Sequence, residues 1–225
     1  TPPVPQPPEV PKPAAPTPGP IQLHEVTGET GVDFLHTDGS SGRRYILEAM
    51  SAGVATFDYD GDGLIDIYFP NGAPLPGTKG DGPPPRHALY KNLGNWRFRD
   101  VTLAAGLGSN AYGLGVAVGD YDNDGHPDLY LNNFGPNQLY RNNGDGTFTD
   151  VTRKADDARG DQAGAGEFYI DADGDGDLDL YVGSYITLKC EEHVPHMAGP
   201  FPSYPSPTEY APVPDTLYRN NGDGT

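Results

Sequence analysis

Three stretches of this sequence place aspartate at alternate positions. FDYDGDGLIDIY carries Asp58, Asp60, Asp62 and Asp66, GDYDNDGHPDLY carries Asp120, Asp122, Asp124 and Asp128, and IDADGDGDLDLY carries Asp171, Asp173, Asp175 and Asp179. Oxygen ligands at loop positions 1, 3, 5 and 9 suit Ca²⁺, which takes six to eight hard oxygens in flexible geometry. Position 6 is glycine in each loop (Gly63, Gly125, Gly176) and permits the tight reversal. Position 7 (Leu64, His126, Asp177) would offer a backbone carbonyl, and in the third loop Asp177 adds a carboxylate there. Bare carboxylates about 4 Å apart repel by roughly 1 kcal/mol per pair even in water. The spacing therefore predicts about three Ca²⁺ sites.

An EF-hand is excluded on two grounds. Its loop ends in a bidentate glutamate at position 12, where this chain has Phe69, Leu131 and Val182. Helices must also flank it, whereas GVATF, GVAVG and EFYI alternate like strands. A solvated Asp-Gly turn explains one such loop, but not three in identical register.

The elements that must hold the loops form a repeat. In GVAVGDY (115–121), DLYLNN (128–133) and NQLYRNNGDGTFTDVT (137–152) a strand leads into the acidic loop, a second strand leaves it, and a hairpin follows around Asn-Gly-Asp-Gly. ALYKNLGNWRFRDVT (88–102) and DTLYRNNGDGT (215–225) repeat the hairpin; LHEVTGETGV (23–32) and FRDVTLAAGL (98–107) repeat the last strand and its exit. Tyr90, Tyr140 and Tyr218, one per hairpin, are expected to pack between repeats. Segments 71–88 and 184–214, rich in Gly, Pro and aromatics, interrupt the unit between its second and third strands and read as surface loops outside the core.

A four-stranded unit that cannot bury both faces must stack on copies of itself, as propeller blades do. The fold class expected is all-β: a β-propeller of four-stranded blades over residues 21–225, about three blades, incomplete in this chain. The lone strand IQLHEVT (21–27) would supply the outer strand of the last blade. Residues 1–20, with proline at about every second position, read as a polyproline II spacer.

Charge and composition narrow the partners. Against 14 basic residues stand 32 acidic ones, a formal charge of −18, which disfavours nucleic acid and anionic membrane surfaces. No apolar run approaches the length of a membrane span, so no membrane insertion by this segment is expected. Cys190 is the single cysteine, so no disulfide forms within the chain.

DYDNDGHPDLY together with LYRNNGDGTFTDVT resembles the FG-GAP/VCBS repeat, the calcium-loaded blade of integrin α-subunit propellers and of many bacterial surface proteins. GVDFLHTDGSSGRRYILEAMSAGVATFDYDGDGLIDIYFPNG is similar to the ASPIC/UnbV-type bacterial relatives of cartilage acidic protein. The resemblance implies Ca²⁺ at positions 1, 3, 5, 7 and 9 of each loop.

Two weaker signals stand apart. Cys190, His193 and His196 have a spacing a transition metal could use, though only part of a ligand set is visible. Arg159-Gly160-Asp161 spells a cell-attachment tripeptide that a Gly-bearing turn also produces by chance. No nucleophile elbow, Walker loop, HExxH or dinucleotide fingerprint is present. The function expected is a calcium-stabilised interaction or adhesion module for a protein or glycan ligand, not an enzyme, located outside the cell, at its surface or in the periplasm. The alternative is the propeller domain of a secreted enzyme whose catalytic residues lie outside this chain or in the 184–214 insertion.

Overall fold

The computed structural model describes residues 22–50, 52–78, 84–153 and 162–222. The proline-rich residues 1–20 and the Arg159-Gly160-Asp161 tripeptide lie outside the described residues.

The strands arise where apolar and small residues alternate, and each acidic loop joins two of them. β1 (Ala55–Phe57), β2 (Asp66–Phe69), β3 (Ala88–Asn92) and β4 (Phe98–Asp100) form the first antiparallel sheet, in that order. β5 (Tyr112–Gly119), β6 (Asp128–Phe134), β7 (Gln138–Asn142) and β8 (Phe148–Asp150) form the second. In the third, β10 (Asp179–Thr187) lies between β9 (Gln162–Ile170) and the later β13 (Thr216–Tyr218), and a separate hairpin pairs β11 (His196–Ala198) with β12 (Phe201–Ser203). The chain is all-β, built of propeller-type blades; the third has three strands among the described residues.

Period-two alternation assigns each blade two faces. On one face, registered neighbours form the rows Ala55–Tyr68–Leu89 and Ala117–Tyr130–Leu139. The first row is buried with Leu129, Leu131 and Tyr140 from the opposite face of the second blade. The second is buried with Val182, and Tyr169, Leu180 and Tyr218 of the third blade pack against that cluster. The corresponding row of the third blade is Phe168–Tyr181–Leu217. Phe168 and Leu217 there are 49% and 56% exposed, and Phe168 stacks on Tyr181 at 5.0 Å. Tyr140 and Tyr218 thus pack between blades as expected. Tyr90 packs on the outer face of the first blade, edge-on to Phe69, and its hydroxyl donates to Asp33 Oδ1 at 2.6 Å.

Two expectations are corrected. Residues 22–26 pair with no strand among the described residues, and the helix α1 (Thr27–Thr30) follows them directly. The exit motif keeps its place even so. Gly31 lies against the carbonyl of Phe98 on β4 as Gly106, after the first blade, lies against that of Phe148 on β8, both with φ near +80°. The interrupting segments, read as surface loops, build a core of their own. Ala73 and Leu75 from one, and Ile186, Leu188 and Cys190 from the other, are buried with Tyr45, Ile46, Leu47 and Tyr112. β2 and β10 run away from their acidic loops, so both segments emerge at the far edge of the blades, where their few apolar residues shield one another.

Equivalent positions in the 225-residue chain should therefore respond unequally to truncation. Leu89, fully buried, should lose about 2–5 kcal/mol in Leu89→Ala. Leu217→Ala should stay within about 0.5 kcal/mol. Urea unfolding of both variants checks the pair, and equal losses would contradict the assignment of faces.

Candidate metal centres

Each acidic loop spans the first and second strands of its blade, and its own carboxylates fold it. Position 1 accepts from two amides ahead: Asp58 from Asp62 and Gly63 at 3.1 and 2.8 Å, Asp120 from Asp124 and Gly125 at 3.0 and 2.9 Å, Asp171 from Gly174 and Gly176 at 2.7 and 3.3 Å. Position 5 accepts from the amide of position 7: Asp62 from Leu64, Asp124 from His126, Asp175 from Asp177, at 2.9 to 3.0 Å. The glycines at position 6 adopt φ of +84°, +89° and +96°, the left-handed region open to a residue without Cβ.

Position 9 has another task. Asp66, Asp128 and Asp179 are at most 4% exposed, and both oxygens of each are bonded. One accepts the amide of loop position 2 (Tyr59, Tyr121 or Ala172) at 3.0 to 3.1 Å. The other accepts the amide of an asparagine at the end of the third strand (Asn92 or Asn142) or two residues past it (Asn220), at 2.6 to 2.9 Å. One carboxylate thus clamps the loop to the third strand of its blade.

Position 3 is Asp60, Asp122 or Asp173. Asp60 Oδ1 and Asp122 Oδ1 are buried without a hydrogen-bond partner, a costly state for an anion unless a cation faces it. Carboxylate oxygens converge to within 4.8 Å of one another in three groups: Asp58, Asp60 and Asp62; Asp120, Asp122 and Asp128; Asp171, Asp173 and Asp175. Asp66, Asp124 and Asp179 stand outside these groups. Of the position 7 residues, Asp177 accepts from Asn123 Nδ2 at 2.7 Å, and the His126 ring lies over Gly144. Three carboxylates, around an orphaned oxygen in the first two groups, fit a hard cation, and each group could hold a metal ion.

Fixed cations border these groups. Lys91 pairs with Asp60 and, at 2.9 Å, with Asp62, and these hydrogen bonds raise its pKa, that with Asp60 most. Arg219, at the same repeat position, lies 2.8 Å from Asp173. The Lys or Arg and the Asn of the hairpin motif were legible as a repeat, but their sequence gave no sign that they serve the loops.

The Cys190, His193 and His196 set is not assembled. Cys190 is buried in the far-edge core. His193 Nε2 meets the Arg43 carbonyl at 2.8 Å while its ring packs on Tyr45, and His196 sits beside Glu209.

With this geometry in place, the comparisons with known proteins are decisive. The FG-GAP-like repeat family matches residues 81–131 and 120–182. The chain belongs to the FG-GAP repeat family. Its FG-GAP blades are also similar to cartilage acidic protein 1. The Xenopus tropicalis protein is 34% identical over 163 residues, 67% of this chain and 24% of that protein. The mouse protein is 30% identical over 157 residues, 68% and 24% of the two chains. The human protein is 32% identical over 136 residues, 59% and 20%. This FG-GAP chain thus spans at most 24% of the length of these relatives.

Burial pushes Asp128 up to about 7, partly offset by the amides of Asn142 and Tyr121, while Asp122 and Asp124 repel its charge. Burial also raises Asp66. An unfolded aspartate titrates near 3.9, so between about pH 4 and pH 7 the folded chain holds protons that the unfolded chain releases. Metal-free stability should fall as the pH rises through that window. A divalent cation, which needs the carboxylate, should flatten or reverse the slope. Melting temperature against pH in EDTA and in excess divalent metal checks this, and Asp128→Asn should flatten the EDTA profile.

Proposed function

We propose that this chain is a calcium-stapled set of propeller blades that works outside the cytosol as a protein- or glycan-interaction module, without catalysis of its own. The observation that carries the reading is the position 3 carboxylate, which buries one oxygen without a hydrogen-bond partner in two loops and faces two other carboxylates in all three. Ca²⁺ would sit among positions 1, 3, 5 and 9 with the carbonyl of position 7. It would supply the positive charge that lets them pack. Mg²⁺ demands a smaller, near-ideal octahedron and keeps its waters, so it fits this flexible donor set less well. Sites of ordinary extracellular strength saturate near millimolar calcium, which favours a location outside the cytosol. Similarity to cartilage acidic protein 1 supports that placement.

Binding is favoured over chemistry by what the insertions present. The β11–β12 hairpin projects Met197 and Phe201, 52% and 70% exposed, with Val194 just before it at 77%. A cavity of about 270 Å³ among Leu75, Tyr112, Phe134, Leu188 and Cys190 is lined mainly by apolar side chains and receives Asn110 and Glu191 as polar groups. Such surfaces suit recognition of a partner.

Thermal unfolding in EDTA, in Mg²⁺ and across a Ca²⁺ titration tests the reading. A Ca²⁺-selective rise is expected, worth about 2.7 kcal/mol per site at a hundredfold excess over Kd. Asp122→Asn should remove at least one site's share of that rise, read against the variant's own melting temperature in EDTA. Equal effects of Mg²⁺ and Ca²⁺, or no effect of either, would overturn the calcium assignment.

A further inference from the structure

The asparagine that closes each position 9 clamp also reaches out of its blade. Asn142 Nδ2, on β7 of the second blade, donates to the carbonyl of Tyr59 in the first acidic loop at 2.8 Å, as well as to Pro127 in its own at 3.1 Å. Asn220 Nδ2, in the third blade, repeats this with Tyr121 in the second loop at 2.7 Å and Leu178 in its own at 3.2 Å. Tyr59 and Tyr121 are the position 2 residues whose amides bind Asp66 and Asp128. An unbroken path of hydrogen bonds follows. From Asp66 it passes through both polar groups of Tyr59 to Asn142, and the Asn142 amide hands it to Asp128. Tyr121 and Asn220 carry it on to Asp179 in the same way.

We propose that Asn142 and Asn220 are positioning residues that couple the three metal loops, so that an ion in one loop raises the affinity of its neighbour. The coupling rests on the calcium reading above and goes beyond it. A carboxylate at position 9 that is held by a metal fixes the backbone N–H of the position 2 residue of its loop. The carbonyl of that residue, in the next peptide along, then meets the next blade's asparagine, whose backbone amide is already committed to the next position 9 carboxylate. Each loop is thereby assembled in part by the one before it. Adjacent sites share one bond network, through which order imposed at one site biases the next. The second and third loops are also tied directly, by Asn123 and Asp177. Asn92 is the built-in control: at the same repeat position, its Nδ2 donates to Ile65 in its own loop.

Calcium titration calorimetry of the full chain, Asn142→Ser and Asn92→Ser tests this. In the unaltered chain, filling one loop should raise its neighbour's affinity about fivefold or more. Asn142→Ser should cut the coupling between the first two loops to less than about twofold, whereas Asn92→Ser should weaken the first loop and leave coupling intact. Identical effects of the two variants, or independent sites in the unaltered chain, overturn the coupling alone; absence of any calcium binding overturns the calcium reading as well. Should Asn142→Ser fail to fold, Asp122→Asn gives a second measure. It should lower the calcium affinity of the first and third loops about fivefold, and unchanged affinities there overturn the coupling.

Discussion

A buried aspartate that accepts one amide from its own loop and one from the third strand holds each blade together at its acidic edge. The bond pair fixes where the loop starts, which strand it stands over and how close the carboxylates come. Removing an anion from water is expensive unless its oxygens are hydrogen-bonded, and here both are used. Once the ninth-position carboxylate is fixed, positions 1 and 5 wind the backbone, and position 3 keeps an unpartnered oxygen in two of the loops. Division of labour among four identical side chains follows from where each stands relative to the nearest amides.

Much of this was legible in the residues. Alternation around the acidic loops and the Asn-Gly hairpins located the strands, because both signals are local and set by backbone geometry. Identical spacing in three copies marked the carboxylates as a set. The sequence could not tell which carboxylate clamps the loop, since that depends on an asparagine amide brought over by the third strand. Neither could composition foretell that Leu75, Leu188 and Cys190 would be buried. Proline- and glycine-rich segments look solvated one at a time, and only their meeting at the far edge makes a core. The strand expected at residues 21–27 does not form over residues 22–26: a β-pattern describes one half of a ladder and does not name its partner.

Lateral stacking and the loops depend on each other. In the rows that fill the space between blades, Tyr68 and Tyr130 stand two residues after the clamp aspartates on the same strands, so a change in blade-to-blade distance would draw Asn142 away from Tyr59. Conversely, the clamp sets the register that points Tyr68 and Tyr130 toward their neighbours instead of toward solvent. Apolar burial supplies most of the attraction, and the polar bonds select one geometry from those that burial alone would permit.

The connection between the second and third strands of a blade must leave at the edge opposite the acidic loop, because the second strand has carried the chain across the sheet. Residues can therefore be added there without moving a carboxylate, as the short Gly135-Pro136-Asn137 turn of the second blade and the long 184–214 segment of the third demonstrate. The molecule keeps one conservative edge and one permissive edge. Novelty can accumulate on the permissive edge by lengthening, generation after generation, while the opposite edge stays under the unchanging geometry of its oxygens.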